Sequence, residues 1–147
     1  MIYVLYGQPA SGKTTLGKLL AERLDTPFII DGDEFREMFT NKNYGREGRE
    51  ENIRNANAVA TYLNKKSYPH GHVVMSLVNP YKHLREELGE NNKGQVVEVL
   101  LQSNRELKKE YHVKDFEAGH THGVNTDGKV EDSWNKLKEI LQYENTK

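Results

Sequence analysis

Residues 7–14 read Gly7-Gln8-Pro9-Ala10-Ser11-Gly12-Lys13-Thr14 and match the pattern G-x-x-x-x-G-K-[ST] at every fixed position. The glycines allow backbone N–H groups to turn inward around a phosphate, and the N-terminus of a following helix adds partial positive charge. The lysine can bridge the β- and γ-phosphates of a nucleotide, and the threonine hydroxyl can ligate magnesium. The pattern therefore predicts a phosphate-binding loop whose nucleotide contacts come from Gly7, Ala10, Ser11, Gly12, Lys13, Thr14 and Thr15.

The sequence on both sides of this loop supports the motif. The apolar run Ile2–Tyr6 precedes it and has the length of a parallel strand buried on both faces. Leucines at positions 16, 19, 20 and 24 follow it and fall on one face of a helix over Lys13–Leu24. A strand, the loop and a helix in this order form the context in which the motif binds phosphate, whereas a chance match in a turn would lack it.

The rest of the chain alternates strands with helices. We predict strands over Phe28–Ile30, His72–Val78, Gln95–Leu101 and Gly123–Thr126, and helices over Glu34–Phe39, Glu51–Lys65, Pro80–Leu88, Asn104–Glu110 and Val130–Tyr143, with Thr40–Arg49 as a loop. Such alternation gives right-handed βαβ units on one sheet. The predicted fold is α/β, a P-loop NTPase three-layer sandwich with a mostly parallel sheet and a single domain over residues 1–147. Its ligands should bind at the carboxyl ends of the strands.

Composition limits the partners of the protein. The 147 residues carry a formal net charge of −1, so no global basic field attracts nucleic acid. The absence of cysteine excludes disulfides and thiolate nucleophiles and favours a reducing compartment. The first apolar run is too short for a signal peptide or a membrane span. We expect a cytoplasmic protein that binds neither nucleic acid nor a membrane, and a homodimer stays open.

Other classes that share the phosphate loop need further signals. GTPases carry a base-reading N-K-x-D motif, and Asn64-Lys65-Lys66-Ser67 lacks its aspartate. A motor or an AAA-type ATPase would need a longer chain and a hydrophobic strand that ends in Asp-Glu. The sequence therefore favours a small kinase that uses ATP and magnesium on a small acceptor.

An acidic turn follows the second predicted strand and faces the same sheet edge as the phosphate loop. It reads Asp31-Gly32-Asp33, with Arg36 one helical turn later. A carboxylate here can accept the proton of an attacking hydroxyl or hold magnesium, and the arginine can pair with an anionic acceptor. Alternatively, Asp31 or Asp33 is only the N-cap of the following helix.

Three motifs together resemble those of adenylyl-sulfate kinases in order and spacing. They are Asp31-Gly32-Asp33-x-x-Arg36, Arg49-x-x-Asn52-Ile53-Arg54 and Ser76-Leu77-Val78-Asn79-Pro80-Tyr81. The corresponding family patterns are D-G-D-x-x-R, D-R-x-x-N-I-R-R and S-L-I-S-P-Y. The resemblance extends over roughly residues 1 to 101 and more weakly over the last helix, and it is more specific than the phosphate loop alone.

This resemblance implies a kinase that phosphorylates the ribose 3′-hydroxyl of adenylyl sulfate. It implies Lys13, Asp33 and Asp31 as catalytic residues, with Asp33 as the candidate base, and Thr14 and Asp33 as magnesium ligands. The implied acceptor-binding residues are Asp33, Arg36, Arg49, Asn52, Ile53, Asn79 and Phe116.

The chain also departs from the family pattern around the acceptor. Asn79 replaces a serine sometimes proposed to carry the phosphoryl group, so we expect direct in-line transfer. Arg46 stands in place of an aromatic residue, and Gly48 in place of the aspartate before Arg49. A shortened lid over about 104–119 replaces the long basic lid and offers Arg105, Lys108, Lys109 and Lys114. The acceptor could therefore be another nucleotide-linked sulfate, phosphate or phosphoramidate.

Other interpretations stay open. The chain could be a kinase for a nucleoside, a sugar or a polynucleotide end, although its balanced charge argues against the last. It could also be a regulatory module that binds ATP without transferring phosphate. The pairs His70/His72 and His120/His122 could offer imidazoles to a metal, but no cysteine or patterned acidic residue accompanies them. A position of His120 or His122 near the nucleotide is the better interpretation.

Overall fold

The sheet runs through the middle of the molecule and is parallel throughout its described part. The computed structural model describes residues 1–105, 109–119 and 122–146. The strands are β1 (Ile2–Tyr6), β2 (Ile29–Asp31), β3 (Val73–Leu77), β4 (Val96–Gln102) and β5 (Gly123–Asn125). Their order is β2-β3-β1-β4-β5, and each neighbouring pair is parallel. The central strand β1 delivers the phosphate loop to the edge where parallel sheets bind ligands.

Helices cover both faces of this sheet. They are α1 (Lys13–Arg23), α2 (Gly32–Met38), α3 (Arg46–Ser67), α4 (Lys82–Asn91) and α5 (Val130–Asn145). Side chains of β1 alternate between the two cores, as the period-2 geometry of a strand requires. One core packs β1 against α2, α3 and α4, and the other packs it against α1 and α5. The predicted three-layer α/β sandwich is therefore confirmed.

Helix α3 begins inside the segment predicted as a loop. Gly45 is its N-cap, and the N–H of Arg49 donates to the Gly45 carbonyl in the first turn. The charged side chains of this region form ion pairs at i,i+4 spacing, in which Glu50 contacts both Arg46 and Arg54. The prediction missed this turn because these charges form i,i+4 pairs instead of an apolar stripe. Although α3 has 22 residues, neither it nor any other helix of the described chain is long and apolar enough to cross a membrane.

Two further helix predictions need correction. Helix α4 begins at Lys82 instead of Pro80, because Asn79 has a left-handed backbone with φ 48° and Tyr81 is extended. The helix predicted over Asn104–Glu110 is wrong in its described part, where only a 3₁₀ turn over Lys109–Tyr111 occurs. Residues 106–108 of that segment lie outside the described residues.

Candidate active site

The phosphate loop has the left-handed backbone positions that an anion cradle needs. Ala10 has φ 64°, and Gly12, the N-cap residue of α1, has φ 93°. At Gly7 the loop approaches β4 so closely that a Cβ would collide with the carbonyl oxygen of Leu101. Such positions at the start of a helix are typical of backbone anion sites, so the loop fits the phosphates of a nucleotide.

The Lys13 ammonium group lies within this loop. Its Nζ donates to the carbonyl oxygen of Gln8 at 2.7 Å and to the Oγ of Ser11 at 3.2 Å. Both acceptors are neutral, whereas phosphate oxygens are charged and accept stronger hydrogen bonds. The lysine is therefore already positioned where a nucleotide would recruit it.

Thr14 and Asp31 bring the acidic turn to the phosphate loop. The Thr14 hydroxyl donates to Oδ2 of Asp31 at 3.2 Å. The other carboxylate oxygen, Oδ1, accepts from the N–H groups of Asp33 and Glu34 at 3.0 and 3.2 Å and so caps α2. A hydroxyl and a carboxylate are hard oxygen donors that suit magnesium, which usually takes one or two protein ligands and substrate phosphates. The N-cap interpretation therefore holds for Asp31, and the same carboxylate also lies beside Thr14.

Asp33 lies one residue into α2 and is exposed. It was expected to ligate magnesium with Thr14, yet Asp31 is the carboxylate that contacts the threonine. Burial lowers the pKa of Arg36, and the charges of Tyr44 and Asp33 oppose this change. The Arg36 guanidinium donates to the Asn43 carbonyl at 2.9 Å and lies 4.3 Å from the centre of the Tyr44 ring. Asp33 is thus accessible to a ligand, while Arg36 also holds the loop before α3.

Two arginines at the start of α3, Arg46 and Arg49, converge on one carboxylate, and we refer to them as the arginine pair. Arg46 Nη1 lies 3.0 Å from Oδ2 of Asp115, and Arg49 Nη2 lies 3.4 Å from Oδ1. Arg46 lies 4.2 Å from the centre of the Tyr81 ring, and Arg49 Nε donates to the Tyr81 hydroxyl at 2.8 Å. Asp115 was missed at the sequence level, because nothing local to it indicates partners on α3.

Close approach of the backbone of Asn43 explains why a glycine, Gly48, precedes Arg49. A Cβ on Gly48 would collide with the backbone of Asn43, so no side chain fits there without a shift. The family pattern places an aspartate at this position. In this chain Asp115 supplies a carboxylate to Arg49 from another part of the sequence.

Three further predicted acceptor residues, Asn52, Ile53 and Asn79, are buried. Asn52 Nδ2 donates to the Gly32 carbonyl at 3.2 Å and so joins α3 to the acidic turn. Ile53 is 3% exposed and packs in the core, so its prediction as an acceptor contact is not supported by its position. Asn79 is 1% exposed, and both polar atoms of its side chain lack a hydrogen-bond partner among the described residues. A buried amide without partners costs folding free energy, so this position is a candidate for a ligand contact.

Phe116 lies beside the phosphate loop. Its ring stacks on Tyr6 with a centroid distance of 6.2 Å and an interplanar angle of 10°. It also borders a cavity of about 220 Å³ whose other walls include residues 8–11 of the phosphate loop and residues 102–105 after β4. An aromatic ring beside the phosphate loop can stack on a nucleotide base.

The described part of the predicted lid is anchored on both sides of Asp115. Gln8 Nε2 donates to the Val113 carbonyl at 2.9 Å, and the Val113 N–H donates back to Gln8 Oε1 at 2.8 Å. The Glu117 N–H donates to the carbonyl of Pro80 at 2.8 Å. Residues 114–116 therefore form a short span between a contact to the phosphate loop and a contact to the β3–α4 turn.

Asp127, also missed at the sequence level, joins the loops after β4 and β5. It accepts hydrogen bonds from the Ser103 hydroxyl at 2.8 Å and the Asn104 N–H at 2.7 Å, and these bonds lower its pKa. The guanidinium of Arg105, one of the predicted lid cations, donates to the Thr126 carbonyl. These contacts fix the wall that residues 103–105 form in the cavity beside the phosphate loop.

Some predictions fall on residues outside the described ranges, namely Lys108 of the lid and His120. His122 pairs with Glu144 on α5, with 2.6 Å between Nε2 and Oε1. Within the described residues, no three His, Cys, Asp or Glu side chains cluster closely enough to hold a metal by themselves.

Comparison with known proteins agrees with this geometry. The family model for adenylylsulphate kinase matches residues 1–127. No curated protein sequence matches the chain. The structure is similar to the APS kinase CysC of Mycobacterium tuberculosis in complex with AMPPNP and APS, with a TM-score of 0.78, 18% identity and 96% of each chain covered.

The fold is shared with other proteins as well. A gluconokinase from Sinorhizobium meliloti 1021 has a TM-score of 0.63 at 17% identity, with 96% of this chain and 93% of that chain covered. Kti12 of Chaetomium thermophilum in complex with ADP-AlF3 has a TM-score of 0.60 at 16% identity, with 97% and 98% covered. At such identities these similarities show the fold, which confirms the P-loop NTPase class.

Proposed function

The chain belongs to the adenylylsulphate kinase family, and from this premise we propose that it transfers the γ-phosphoryl group of ATP to the ribose 3′-hydroxyl of adenylyl sulfate. Membership of this family supports phosphotransfer and ATP binding. The identity of the acceptor is our proposal, and it depends on the arrangement of the acidic turn and the arginine pair around the phosphate loop.

The contact between Thr14 and Asp31 is the observation that carries this proposal. Because it joins the phosphate loop to the acidic turn, an acceptor hydroxyl near Asp33 would lie close to the γ-phosphate of a nucleotide held by Lys13. Asp33 is exposed and hence accessible to that hydroxyl. Placement of the two reacting groups supplies much of the catalysis in phosphoryl transfer.

The chain supplies the residues for a direct transfer. The acceptor oxygen forms a bond to the γ-phosphorus while the bond to the β–γ bridging oxygen breaks, so that ADP leaves and the hydroxyl proton passes to Asp33. Lys13 stabilises the negative charge on the transferred group. Magnesium, held by Thr14 and Asp31, would neutralise charge on the β- and γ-phosphates. Asn79 cannot carry a phosphoryl group, so no enzyme-bound intermediate forms at that position.

The acceptor would bind between α3 and the residues that precede α4. Arg49 and Arg46 provide charge-assisted hydrogen bonds for its anionic group. The unpartnered amide of Asn79 and the ring of Phe116 are our proposed contacts for the nucleoside. Asn52 supports the acidic turn through the Gly32 carbonyl.

ADP release with a panel of acceptors tests this proposal. The panel contains adenylyl sulfate, AMP, and gluconate, each with ATP and magnesium, and ³¹P NMR identifies the phosphorylated oxygen. We expect turnover with adenylyl sulfate and a new 3′-phosphate, and we expect Asp33→Asn to reduce this turnover at least about a hundredfold. Absence of any nucleotide 3′-phosphate at high enzyme concentration would refute the proposed acceptor.

The arginine pair also favours a second candidate, a hydroxylated carboxylic acid such as a sugar acid. The group that the two guanidinium groups bind in this structure is a carboxylate, that of Asp115. Stimulation of ADP release by gluconate but not by adenylyl sulfate would establish this alternative. Slow ATP hydrolysis unaffected by every acceptor would instead indicate a module that binds ATP without transferring phosphate.

A further inference from the structure

Asp115 occupies the arginine pair in a way that resembles a bound anion. Each of its two carboxylate oxygens accepts from a different guanidinium group, at 3.0 Å from Arg46 and 3.4 Å from Arg49. The side chain is 42% exposed, so water or a solute can reach it. A carboxylate that bridges two arginines has the charge and the size of one face of a sulfate or phosphate group.

The two guanidinium groups are held by other parts of the protein and do not depend on Asp115 for their positions. Arg49 donates to the Tyr81 hydroxyl at 2.8 Å and to the Tyr44 carbonyl at 2.7 Å, and Arg46 lies over the Tyr81 ring and pairs with Glu50 at 2.8 Å. The site would therefore persist if the aspartate moved away.

We propose that Arg46 and Arg49 bind the compact oxyanion of the acceptor, and that Asp115 is an internal competitor which occupies this subsite until the acceptor displaces it. The identity of the oxyanion as a sulfate linked to a nucleotide rests on the proposed function. The phosphosulfate of such an acceptor carries two negative charges, one on the phosphate and one on the sulfate, so it competes better than a single carboxylate. Asp115 therefore selects acceptors that carry such a group against those that carry only hydroxyls.

Displacement of Asp115 requires only a small rearrangement. Val113 is fixed to Gln8, Glu117 is fixed to the Pro80 carbonyl, and Phe116 stacks on Tyr6. The side chain of Asp115 can therefore turn away from the arginine pair while these contacts stay. The first anchor, Gln8, belongs to the phosphate loop. The segment that carries Asp115 is thus attached directly to the phosphate loop.

Binding of inorganic sulfate measures the competition without any turnover. The phosphate loop is first saturated with ADP and magnesium, and sulfate is then titrated by calorimetry against wild type, Asp115→Asn and Asp115→Ser. A surface ion pair is weak, so its removal should tighten sulfate binding by roughly three- to tenfold. Glu139→Gln removes the same charge from a distant exposed pair on α5 and should change the affinity less than twofold.

Arg46→Gln identifies where the sulfate binds. In this background, addition of Asp115→Asn should give a smaller gain than it gives in wild type, because Asp115 then competes for Arg49 alone. Equal sulfate affinity in wild type and both Asp115 variants would overturn the inference. So would a gain of the same size in the Arg46→Gln background, which would indicate a long-range charge effect.

These measurements distinguish failure of the internal-competitor inference from failure of the proposed function. Tighter sulfate binding in Asp115→Asn together with no reaction on any nucleotide would retain the subsite and reject the acceptor. Turnover on adenylyl sulfate with no effect of Asp115 on sulfate binding would retain the function and reject the internal competitor. A lower KM for gluconate alone in Asp115→Asn would assign the subsite to carboxylates and contradict the selection for doubly charged groups.

Discussion

Replacement of Asp31 by asparagine separates the two roles of this carboxylate. One oxygen caps α2 through two backbone N–H groups, and the other accepts from the Thr14 hydroxyl at 3.2 Å. Asparagine is about as good an N-cap as aspartate, so Asp31→Asn should keep the unfolding free energy within about 0.5 kcal/mol of wild type. Asp31→Ala should lose about 1 kcal/mol, equivalent to about 4 °C in Tm.

The same substitution removes the negative charge beside the proposed magnesium position. Loss of a group that orients or ligates a metal typically weakens metal affinity by about 10- to 100-fold. We therefore expect the magnesium concentration for half-maximal activity to rise by about this factor in Asp31→Asn, with much of the activity recovered at high magnesium. Asp33→Asn, the matched change two residues away, should instead lower kcat by about 100- to 10,000-fold at every magnesium concentration.

The assay follows ADP release against magnesium concentration at saturating ATP and acceptor, with Tm measured on the same samples. The reasoning would be refuted if Asp31→Asn kept the wild-type magnesium dependence while Asp33→Asn raised the magnesium requirement. That outcome would return the metal role to Asp33, as the sequence predicted, and would reduce the contact of Asp31 with Thr14 to a structural hydrogen bond.

Three further predictions follow from single positions. Lys13→Ala should remove about 3 kcal/mol or more of transition-state stabilisation, and turnover within threefold of wild type would exclude this loop as the catalytic site. Arg46 stands where the family has an aromatic residue, and stacking of a base on an aromatic ring is worth about 1–3 kcal/mol. We therefore expect weak discrimination between bases, with kcat/KM for adenylyl sulfate less than about a hundredfold above that for its cytidine, uridine and guanosine analogues. A larger ratio would contradict this expectation. Burial raises the pKa of Glu98 in the folded protein above its ordinary value of 4.5. The protonated carboxyl therefore favours the folded state, and this contribution to the unfolding free energy is fully present below pH 4.5 and is lost as the pH rises through the folded pKa. Glu98→Gln should therefore raise Tm at pH 7 and have no such effect near pH 4, and an equal effect at both pH values would refute this cause.

The phosphate loop and the sheet around it were predictable because their signals are local. An apolar run, a glycine-containing loop and a leucine stripe occupy consecutive residues, and each follows the period of its own element. The same holds for the acidic turn after β2. Helix α3 was predicted too short and the helix over 104–110 wrongly, because charge pairs and loop contacts decide those boundaries instead of apolar periodicity.

Local patterns in the sequence predicted the α/β sandwich and the phosphate loop, and they identified most of the acidic and basic residues of the site, although not Asp115 or Asp127. The contact of Asp31 with Thr14, and the contact of Asp115 with the arginine pair from more than sixty residues away, are visible only in the folded structure. The physical reason is that hydrogen bonds and ion pairs between distant segments depend on the packing of helices against the sheet, and no local pattern of residue types encodes which partners that packing brings together.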